Sequence, residues 1–344
     1  MKPPEYWKRR SDQISSRQFR KADSLMIRSN KEYAKSMKSI QQDIESFYAR
    51  FAENNEITLT EARKLLTEGE LQEFKMTLEE FTAKAKDNAD GRWTKELNNV
   101  YYRTRVSRYE VLQIQIRQEI ELLTAKQHKD VTSLLVDTYE DTYHRTLFEI
   151  QSGTGVGVSF ARIDQTSLET TLNKKWAGSN YSSRIWDNKK KLLRELETNL
   201  EQSFIRGDSV DRTTKLIQER MGVSRTNAAR LVRTESAHIV GEATFKGYEE
   251  SGVVAQYQFL ATLDNRTSSV CQSMDNKIFK LSEKQVGINY PPLHANCRST
   301  TVAYFGDEEP SERVAMGKDG KVYYVPSNMN YTEWFEKYVE VVKI

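Results

Sequence analysis

The chain has 344 residues, of which 38% are hydrophobic and 29% charged, and its formal net charge is +3. This length allows two or three domains, and the balance of apolar and charged residues excludes a disordered chain. No apolar run approaches the roughly 20 residues that cross a bilayer, the N-terminus lacks the apolar stretch of a signal peptide, and two cysteines exclude a disulfide-rich secreted scaffold. We therefore expect a protein that is made in a reducing cytosol and has no membrane contact.

The first 150 residues predict long helices. Apolar residues recur at spacings of three and four along 33–51 and again along 106–123, as the buried face of a bundle helix requires. Thr58 and Glu61 form a capping-box pattern ahead of a further helix expected at 69–87. The two apolar stripes consist of Tyr33, Met37, Ile40, Ile44, Phe47 and Phe51, and of Val106, Tyr109, Leu112, Ile116, Ile120 and Leu123.

A glycine-rich segment, 152–157, follows the long helices. It lacks the Gly-Lys-Ser/Thr ending of a phosphate-binding loop, so it is predicted to be a linker or flexible hinge. Further helices are expected at 187–204, 210–220 and 226–250, with a turn at 222–226 between the last two.

After residue 252 the hydrophobic period changes from that of a helix to that of a strand. Strands are expected at 255–261, 277–280, 300–305 and 321–325, and a terminal helix at 331–342. The predicted fold class is mostly α with a C-terminal α+β module, a long-helix bundle followed by a small antiparallel sheet packed on helices. The expected divisions are 1–150 (helical bundle with a basic N-terminus), 151–225 (linker and connecting helices), 226–310 (α+β module) and 311–344 (hairpin and terminal helix).

The N-terminal 40 residues are strongly basic. They contain eleven Lys/Arg and four acidic residues, a net charge of +7. Such a segment can neutralise phosphates and bind double-stranded DNA without sequence preference, whereas the alternatives are a solvated helix face or a surface that docks an acidic protein. The candidate DNA-binding residues are Lys8, Arg9, Arg10, Arg17, Arg20 and Lys21.

Three sequence blocks between 225 and 305 occur in a defined order. They are Arg233-Thr234-Glu235, then Asp264-x-Arg266-Thr267-x-x-x-Cys271, then Pro291-Pro292-x-His294-x-x-Cys297-Arg298. In order and spacing these blocks resemble the signature of the phage Mu protein F-like family of tailed-phage minor head proteins. The segments 176–186 and 331–334 also resemble members from phages of Gram-positive hosts, known as minor capsid or head morphogenesis proteins.

The resemblance implies a non-enzymatic structural protein of the virion. Such a protein lies inside the phage head near the portal, is present in few copies, and assists head morphogenesis, DNA packaging or genome delivery (ejection). Its implied partner is the portal protein, with scaffolding or major capsid protein and DNA as further candidates. The implied location is the head interior, and the host cytoplasm during assembly.

The cysteine pattern departs from the family at one position. Many members resemble Asp-x-Arg-Thr-Cys-x-x-Cys paired with His-x-x-Cys, a four-ligand zinc arrangement, but here Ser268 replaces the first cysteine. Cys271, His294 and Cys297 then supply three ligands, and structural zinc sites nearly always have four. Asp264, Asp275 or His238 could supply the fourth. The alternative is that the two thiols are buried, metal-free, beside a hydrogen-bonded histidine.

The charged motif residues predict an ion-pair network. Arg233, Glu235, Asp264, Arg266 and Arg298 provide three positive and two negative groups, which we expect to hold the helix against the strand and loop. Pro291 and Pro292 fix an extended backbone before His294.

Two other classes of function remain as alternatives. A metal-dependent nuclease could use Asp264, His238, His294 and Asn296, although the loop of His294 holds no second histidine. A non-specific DNA-binding protein would rely on the basic N-terminus, because the sequence has no helix-turn-helix, zinc-finger or RRM signature. An ADP-ribosyltransferase, which accompanies related modules in some toxins, is disfavoured because the order Arg…Ser-Thr-Ser…Glu-x-Glu is absent.

Overall fold

The computed structural model describes residues 2–54, 108–157, 163, 165–206, 208–306, 312–316, 322–326, 329 and 331–337. Its helices are α1 (Pro4–Asn54), α2 (Arg108–Thr154), α3 (Gln165–Asn173), α4 (Tyr181–Arg206), α5 (Val210–Ser251), α6 (Ser269–Met274) and α7 (Tyr331–Phe335). Its strands are β1 (Gln256–Leu260), β2 (Ile278–Lys280), β3 (Thr300–Tyr304), β4 (Glu312–Met316) and β5 (Val322–Pro326). No helix in these ranges combines the length and the apolar character that a membrane crossing needs.

The predicted fold class is confirmed: long helices are followed by a small antiparallel sheet. The sheet has the strand order β2-β1-β3, with Gln256 of β1 opposite Lys280 on one side and Tyr304 on the other. Strands β4 and β5 form a separate hairpin, in which Glu312 pairs with Pro326. The capping pattern at Thr58 and the helix expected at 69–87 lie outside the described residues.

Two segments that were expected to interrupt helices differ from the prediction. Helix α2 continues to Thr154, so Gly153 belongs to its last turn, and only 155–157 of the linker expected at 152–157 lie outside the helix. Helix α5 runs unbroken through 222–226, where a turn was expected. A glycine inside a helix costs only about 1 kcal/mol, and burial of Met221 and Ala228 on either side of this segment offsets that cost.

The chain divides into two compact units, and both are discontinuous in sequence. Unit 1 comprises Met1–Ser29, Gln127–Ile185 and Asn227–Ile344, and unit 2 comprises Asn30–Lys126 and Trp186–Thr226. The four ranges expected from the sequence are contiguous, so they do not correspond to these units.

Unit 1 contains the sheet and the motif residues. Its N-terminal part of α1 packs on the C-terminal strands: the Trp7 ring lies 4.8 Å from that of Phe305, and Ser11 Oγ donates to the carbonyl of Thr301. Ser15 Oγ lies 2.8 Å from Thr300 Oγ1. The N-terminal segment is therefore part of the same core as the sheet.

The described part of unit 2 is helical apart from the connection at 208–209. The stripe predicted along 33–51 is buried at Tyr33, Ile40, Ile44 and Phe47, as its spacing requires. Phe204 of α4 lies in this core, with its ring 5.1 Å from that of Phe47. The second stripe is buried at Leu112, Ile116, Ile120 and Leu123.

Candidate metal centre

Helix α6 and the loop before β3 bring the two cysteines together. Cys271 lies in α6, and its backbone N–H donates to the Oγ of Ser268, the residue that caps this helix. Cys297 lies in the loop, and both cysteines are only 1% exposed, packed with Phe259 and Ala261. The local fold thus buries both thiols against β1.

His294 completes a compact group of three donor atoms. Its Nε2 lies 3.2 Å from Cys271 Sγ, and the two sulfurs are 3.6 Å apart. Its Nδ1 lies 2.8 Å from the carbonyl oxygen of Ala295, which can only accept, so Nδ1 carries the proton. Nε2 faces the sulfurs, and a carbonyl that holds Nδ1–H is the arrangement found for metal-bound histidines.

These separations fit a zinc ion with tetrahedral geometry. With Zn–S bonds of about 2.3 Å, a tetrahedral angle places two sulfurs about 3.8 Å apart. The observed 3.6 Å between Cys271 and Cys297 is close to that value. A hydrogen bond from Cys271, followed by one involving His294, lowers the pKa of Cys297 although burial opposes this. Cys297 is thus favoured as a thiolate, the form that binds metal, whereas the hydrogen bond with Cys297 and burial raise the pKa of Cys271.

None of the three candidates for a fourth ligand joins the group, within the part of the chain that the structure describes. Asp264 is paired with Arg298 and accepts the backbone N–H of Arg266 at 2.9 Å. Asp275 Oδ1 accepts the backbone N–H of Ala261 at 2.9 Å. His238 stacks on Trp176, with ring centroids 4.3 Å apart.

The charged motif residues do not form the single network expected from the sequence. Asp264 and Arg298 form a two-pronged ion pair, and Arg266, 72% exposed, approaches Asp264 at 3.6 Å. Burial alone would raise the pKa of Asp264, but the hydrogen bonds from Arg298 and the Arg266 backbone outweigh it and lower that pKa. This part of the expected network holds the loop after β1 to the loop before β3.

The two remaining residues, on α5, contact other partners. Arg233 pairs with Asp23 at 3.1 Å, whereas Glu235 accepts the indole N–H of Trp176 at 2.9 Å and pairs with Arg184. Residues two apart on a helix point in different directions, so Arg233 and Glu235 cannot both face the strand and loop. For this reason the prediction of a single ion-pair network was wrong.

Sequence reasoning did not assign a role to Trp176 and Arg184. The Arg184 guanidinium lies 4.6 Å from the Trp176 ring centroid while it pairs with Glu235. Burial raises the pKa of Glu235 despite these partners. The aromatic and polar residues of 176–186 are the sequence feature that could have indicated these contacts. In the sequence they supported only the family resemblance.

Thr234, Thr267 and the proline pair have local structural contacts. Thr234 Oγ1 accepts the backbone N–H of Asn296 at 3.0 Å, which ties α5 to the loop that holds His294 and Cys297. Thr267 Oγ1 donates to the carbonyl of Thr262. Pro291 and Pro292, joined by a cis peptide bond, are buried.

The candidate DNA-binding residues are mostly engaged within unit 1. Arg10 pairs with Glu149 at 3.2 Å, Arg17 with Asp141 at 3.1 Å, and Lys21 with Asp137 at 2.8 Å. Lys8 is 5% exposed. Arg9 and Arg20 are exposed.

Asp141 is the centre of this charged contact between α1 and α2. Burial opposes its ionisation, but hydrogen bonds from Gln18, Arg145 and Lys21 outweigh burial and lower the pKa of Asp141 to about 2. Asp141 therefore stays ionised at neutral pH, where it compensates part of the basic charge of α1.

A known protein family matches the part of the chain that holds this site. Residues 194–302 match the family described as phage Mu protein F like protein, and the three motif blocks lie inside that range. This region of the chain is Mu protein F-like. The match points to a phage head protein, in agreement with the resemblance noted from the motifs.

One protein of similar sequence is named for an enzymatic activity. The NAD(+)–arginine ADP-ribosyltransferase EFV of Enterococcus faecalis (strain ATCC 700802 / V583) is 23% identical over 236 residues, which cover 64% of this chain and 47% of that protein. The chain thus spans about half the length of this relative. No solved structure matches the chain.

Proposed function

We propose that the chain is a minor head protein of a tailed bacteriophage, located inside the head near the portal, where it assists head morphogenesis, DNA packaging or genome delivery. The observation that carries this proposal is the Mu protein F-like region at 194–302. Its motif residues serve to hold a small fold together: Asp264 with Arg298, and Thr234 with Asn296, join its loops and helix. These contacts are structural ones, as a virion component without enzymatic activity needs.

Mass analysis of purified virions, together with copurification on tagged portal protein, tests the location. We expect the chain in mature particles at few copies per portal ring, and in the portal eluate before DNA is packaged. Arg266→Gln, at a 72% exposed side chain, serves as a matched control for Arg298→Gln, which removes the partner of Asp264. The control should enter particles as the wild type does, and Arg298→Gln should be depleted. Absence of the wild-type chain from mature particles would end this proposal.

A zinc ion that is held by Cys271, His294 and Cys297 and supports the fold is part of the proposal. The support is the compact group of the three donor atoms and the orientation of the His294 ring. Zinc in such a site supplies folding free energy, because the ligands meet only in the folded state. Metal analysis of purified chain should find close to one zinc per molecule, lost in Cys271→Ser. A fully folded, metal-free wild type would contradict it.

An ADP-ribosyltransferase is the second candidate function, because of the Enterococcus relative. We propose that the shared segment is not the part that carries the named activity, since the order Arg…Ser-Thr-Ser…Glu-x-Glu is absent from this sequence. Incubation with labelled NAD⁺ and an arginine analogue should give no ADP-ribosylated product. Product formation that depends on chain concentration would favour the transferase instead.

The nuclease alternative receives little support from the site. Asp264 is occupied by Arg298, and His238 stacks on Trp176 away from His294 among the described contacts. With plasmid DNA and Mg²⁺ or Mn²⁺ we expect no nicking. Time-dependent nicking that is lost in His294→Ala would reverse this conclusion.

A further inference from the structure

The next inference concerns the fourth coordination position of the metal ion, and it rests on the zinc site proposed above. We infer that a metal ion at Cys271, His294 and Cys297 takes its fourth ligand from outside the chain, a solvent water that other small donors can replace. In this respect the site resembles a zinc centre with three protein ligands and an exchangeable position, whereas structural zinc centres are closed by four.

The first support is the residue at the departure from the family pattern. Ser268 stands where a fourth cysteine would complete the ligand set, and its Oγ accepts the backbone N–H of Cys271 as the cap of α6. A neutral hydroxyl is not among the groups that zinc sites ordinarily use, which are thiolate, imidazole and carboxylate. The position of Ser268 is thus filled by a group already committed to the helix.

The second support is that the nearby carboxylates are committed elsewhere. Asp264 is paired with Arg298, and the Oδ1 of Asp275 accepts the backbone N–H of Ala261, the residue directly after β1. Moving either group to the metal would break an ion pair or leave a buried N–H without its acceptor, and both changes are unfavourable. Among the described residues, no further His, Cys, Asp or Glu lies with the three donors.

The third support is the asymmetry of burial around the group. The two sulfurs are buried against Phe259 and Ala261, whereas His294 is half-buried and its neighbours Ala295 and Asn296 are exposed. Ser268 is half-buried, and Ser269, which follows it, is exposed. Exposed residues therefore adjoin both His294 and Ser268, whereas the sulfurs face the core.

The charge of the ligand set indicates which donors can enter. Two thiolates cancel the double positive charge of the ion, and the imidazole is neutral, so the loaded site carries no net charge. Neutral donors such as water and imidazole enter such a site without a Coulombic penalty. Imidazole is therefore a suitable probe.

Cobalt substitution of the full chain tests the inference, because Co²⁺ reports its ligand set by visible absorption. We expect the Co²⁺ form of the wild type to change its ligand-field bands on titration with imidazole. Ser268→Cys should add a third thiolate, raise the sulfur-to-cobalt charge-transfer absorption, and abolish the response to imidazole. Ser269→Cys is the matched control: it adds an exposed thiol one residue away and should keep the wild-type spectrum and response.

The outcomes separate this inference from the zinc proposal. Co²⁺ uptake by the wild type without any imidazole response would overturn the exchangeable position while leaving the metal site standing. No uptake of Zn²⁺ or Co²⁺ by the folded wild type would overturn both. The wild-type titration decides the matter even if Ser268→Cys, which alters the cap of α6, fails to fold.

Discussion

At the scale of single residues, Glu235 is the most buried acidic residue of the motif blocks. It is 3% exposed, accepts the indole N–H of Trp176, and pairs with Arg184. Replacement by alanine leaves the Arg184 guanidinium and the indole N–H without this partner in a largely buried place. Breaking one side of such a pair costs several kcal/mol.

We therefore expect Glu235→Ala to lower the free energy of unfolding by about 3 kcal/mol, measured by urea denaturation. Glu249→Ala, at an exposed position of the same helix, is the matched control and should change stability by less than about 0.5 kcal/mol. An unchanged denaturation midpoint in Glu235→Ala would show that the pair has no structural role.

His238 is a buried histidine whose ring stacks on Trp176. Neither ring nitrogen has a hydrogen-bond partner among the described residues, and burial lowers the pKa of His238 to about 4 although Glu242 opposes this. An unfolded histidine titrates near 6.5, so the unfolded state binds the proton more readily than the folded state. The contribution of His238 to stability is therefore complete above pH 6.5 and is lost as the pH falls towards 4.

His238→Phe should keep the stack on Trp176 and remove this titration. We expect the wild type to lose roughly 3 kcal/mol more than the variant between pH 7 and pH 4. Chemical denaturation of both proteins at several pH values measures the difference. Parallel profiles over that interval would contradict the buried neutral state of His238.

At the scale of secondary-structure elements, the end of α2 shows how packing overrides a glycine-rich pattern. Gly153 lies in the last helical turn, and a side chain there would overlap the indole of Trp7 in α1. The backbone N–H of Lys2 also donates to the carbonyl of Gly153 at 2.8 Å. The glycine is needed for close approach, and not for flexibility.

Gly153→Ala should therefore destabilise unit 1 by about 1–3 kcal/mol through the displaced indole. Gly157→Ala is the control, because an added Cβ at Gly157 meets no atom of the described residues within 4 Å. Thermal unfolding, followed by tryptophan fluorescence, compares the two. Equal thermal midpoints for the two variants would show that Gly153 is not needed for the close approach of Trp7, as expected of a linker residue.

The strands and helices were predictable where one local signal was sufficient. The alternation around Tyr257 and Phe259 predicted β1, and both residues are completely buried. The turn expected at Gly222 failed because a local signal of about 1 kcal/mol competes with burial along a whole helix. The sequence of β4 shows no comparable alternation. Its position depends on pairing with β5, which a local pattern does not reveal.

The candidate site was predictable in its chemistry but only partly in its contacts. The family resemblance grouped Cys271 with His294 and Cys297, and the structure brings them together. The partners of Glu235 could not be found in this way, because Arg184 lies 51 residues away on another helix. Long-range pairing depends on how helices pack, which a single sequence does not specify.

At the scale of the whole molecule, part of the local excess of basic charge in α1 is paired inside unit 1. Lys21 is 2.8 Å from Asp137 and 3.3 Å from Asp141, whereas Arg20 is exposed. A charge that is already paired releases few counterions when DNA approaches, so it adds little to DNA affinity. The two residues should therefore affect different properties.

We expect Lys21→Gln to lower the free energy of unfolding by about 1 kcal/mol with little effect on DNA retention at low salt. Arg20→Gln should leave stability unchanged and weaken any retention on duplex DNA. Urea denaturation and elution from a DNA column in a salt gradient measure the two effects. Loss of DNA retention in Lys21→Gln at wild-type stability would restore the N-terminus as a DNA-binding arm.

The hydroxyl contacts between α1 and β3 constrain the order in which unit 1 can form. Ser11 and Ser15 meet Thr301 and Thr300, partners 290 and 285 residues away along the chain. While the protein is being synthesised, α1 leaves the ribosome long before the sheet has been made. The apolar face of α1 therefore stays uncovered until the sheet forms. Unit 1 therefore completes its core only after translation has passed residue 304, which makes this the stage at which a chaperone or an assembly partner would have access to the exposed face of α1.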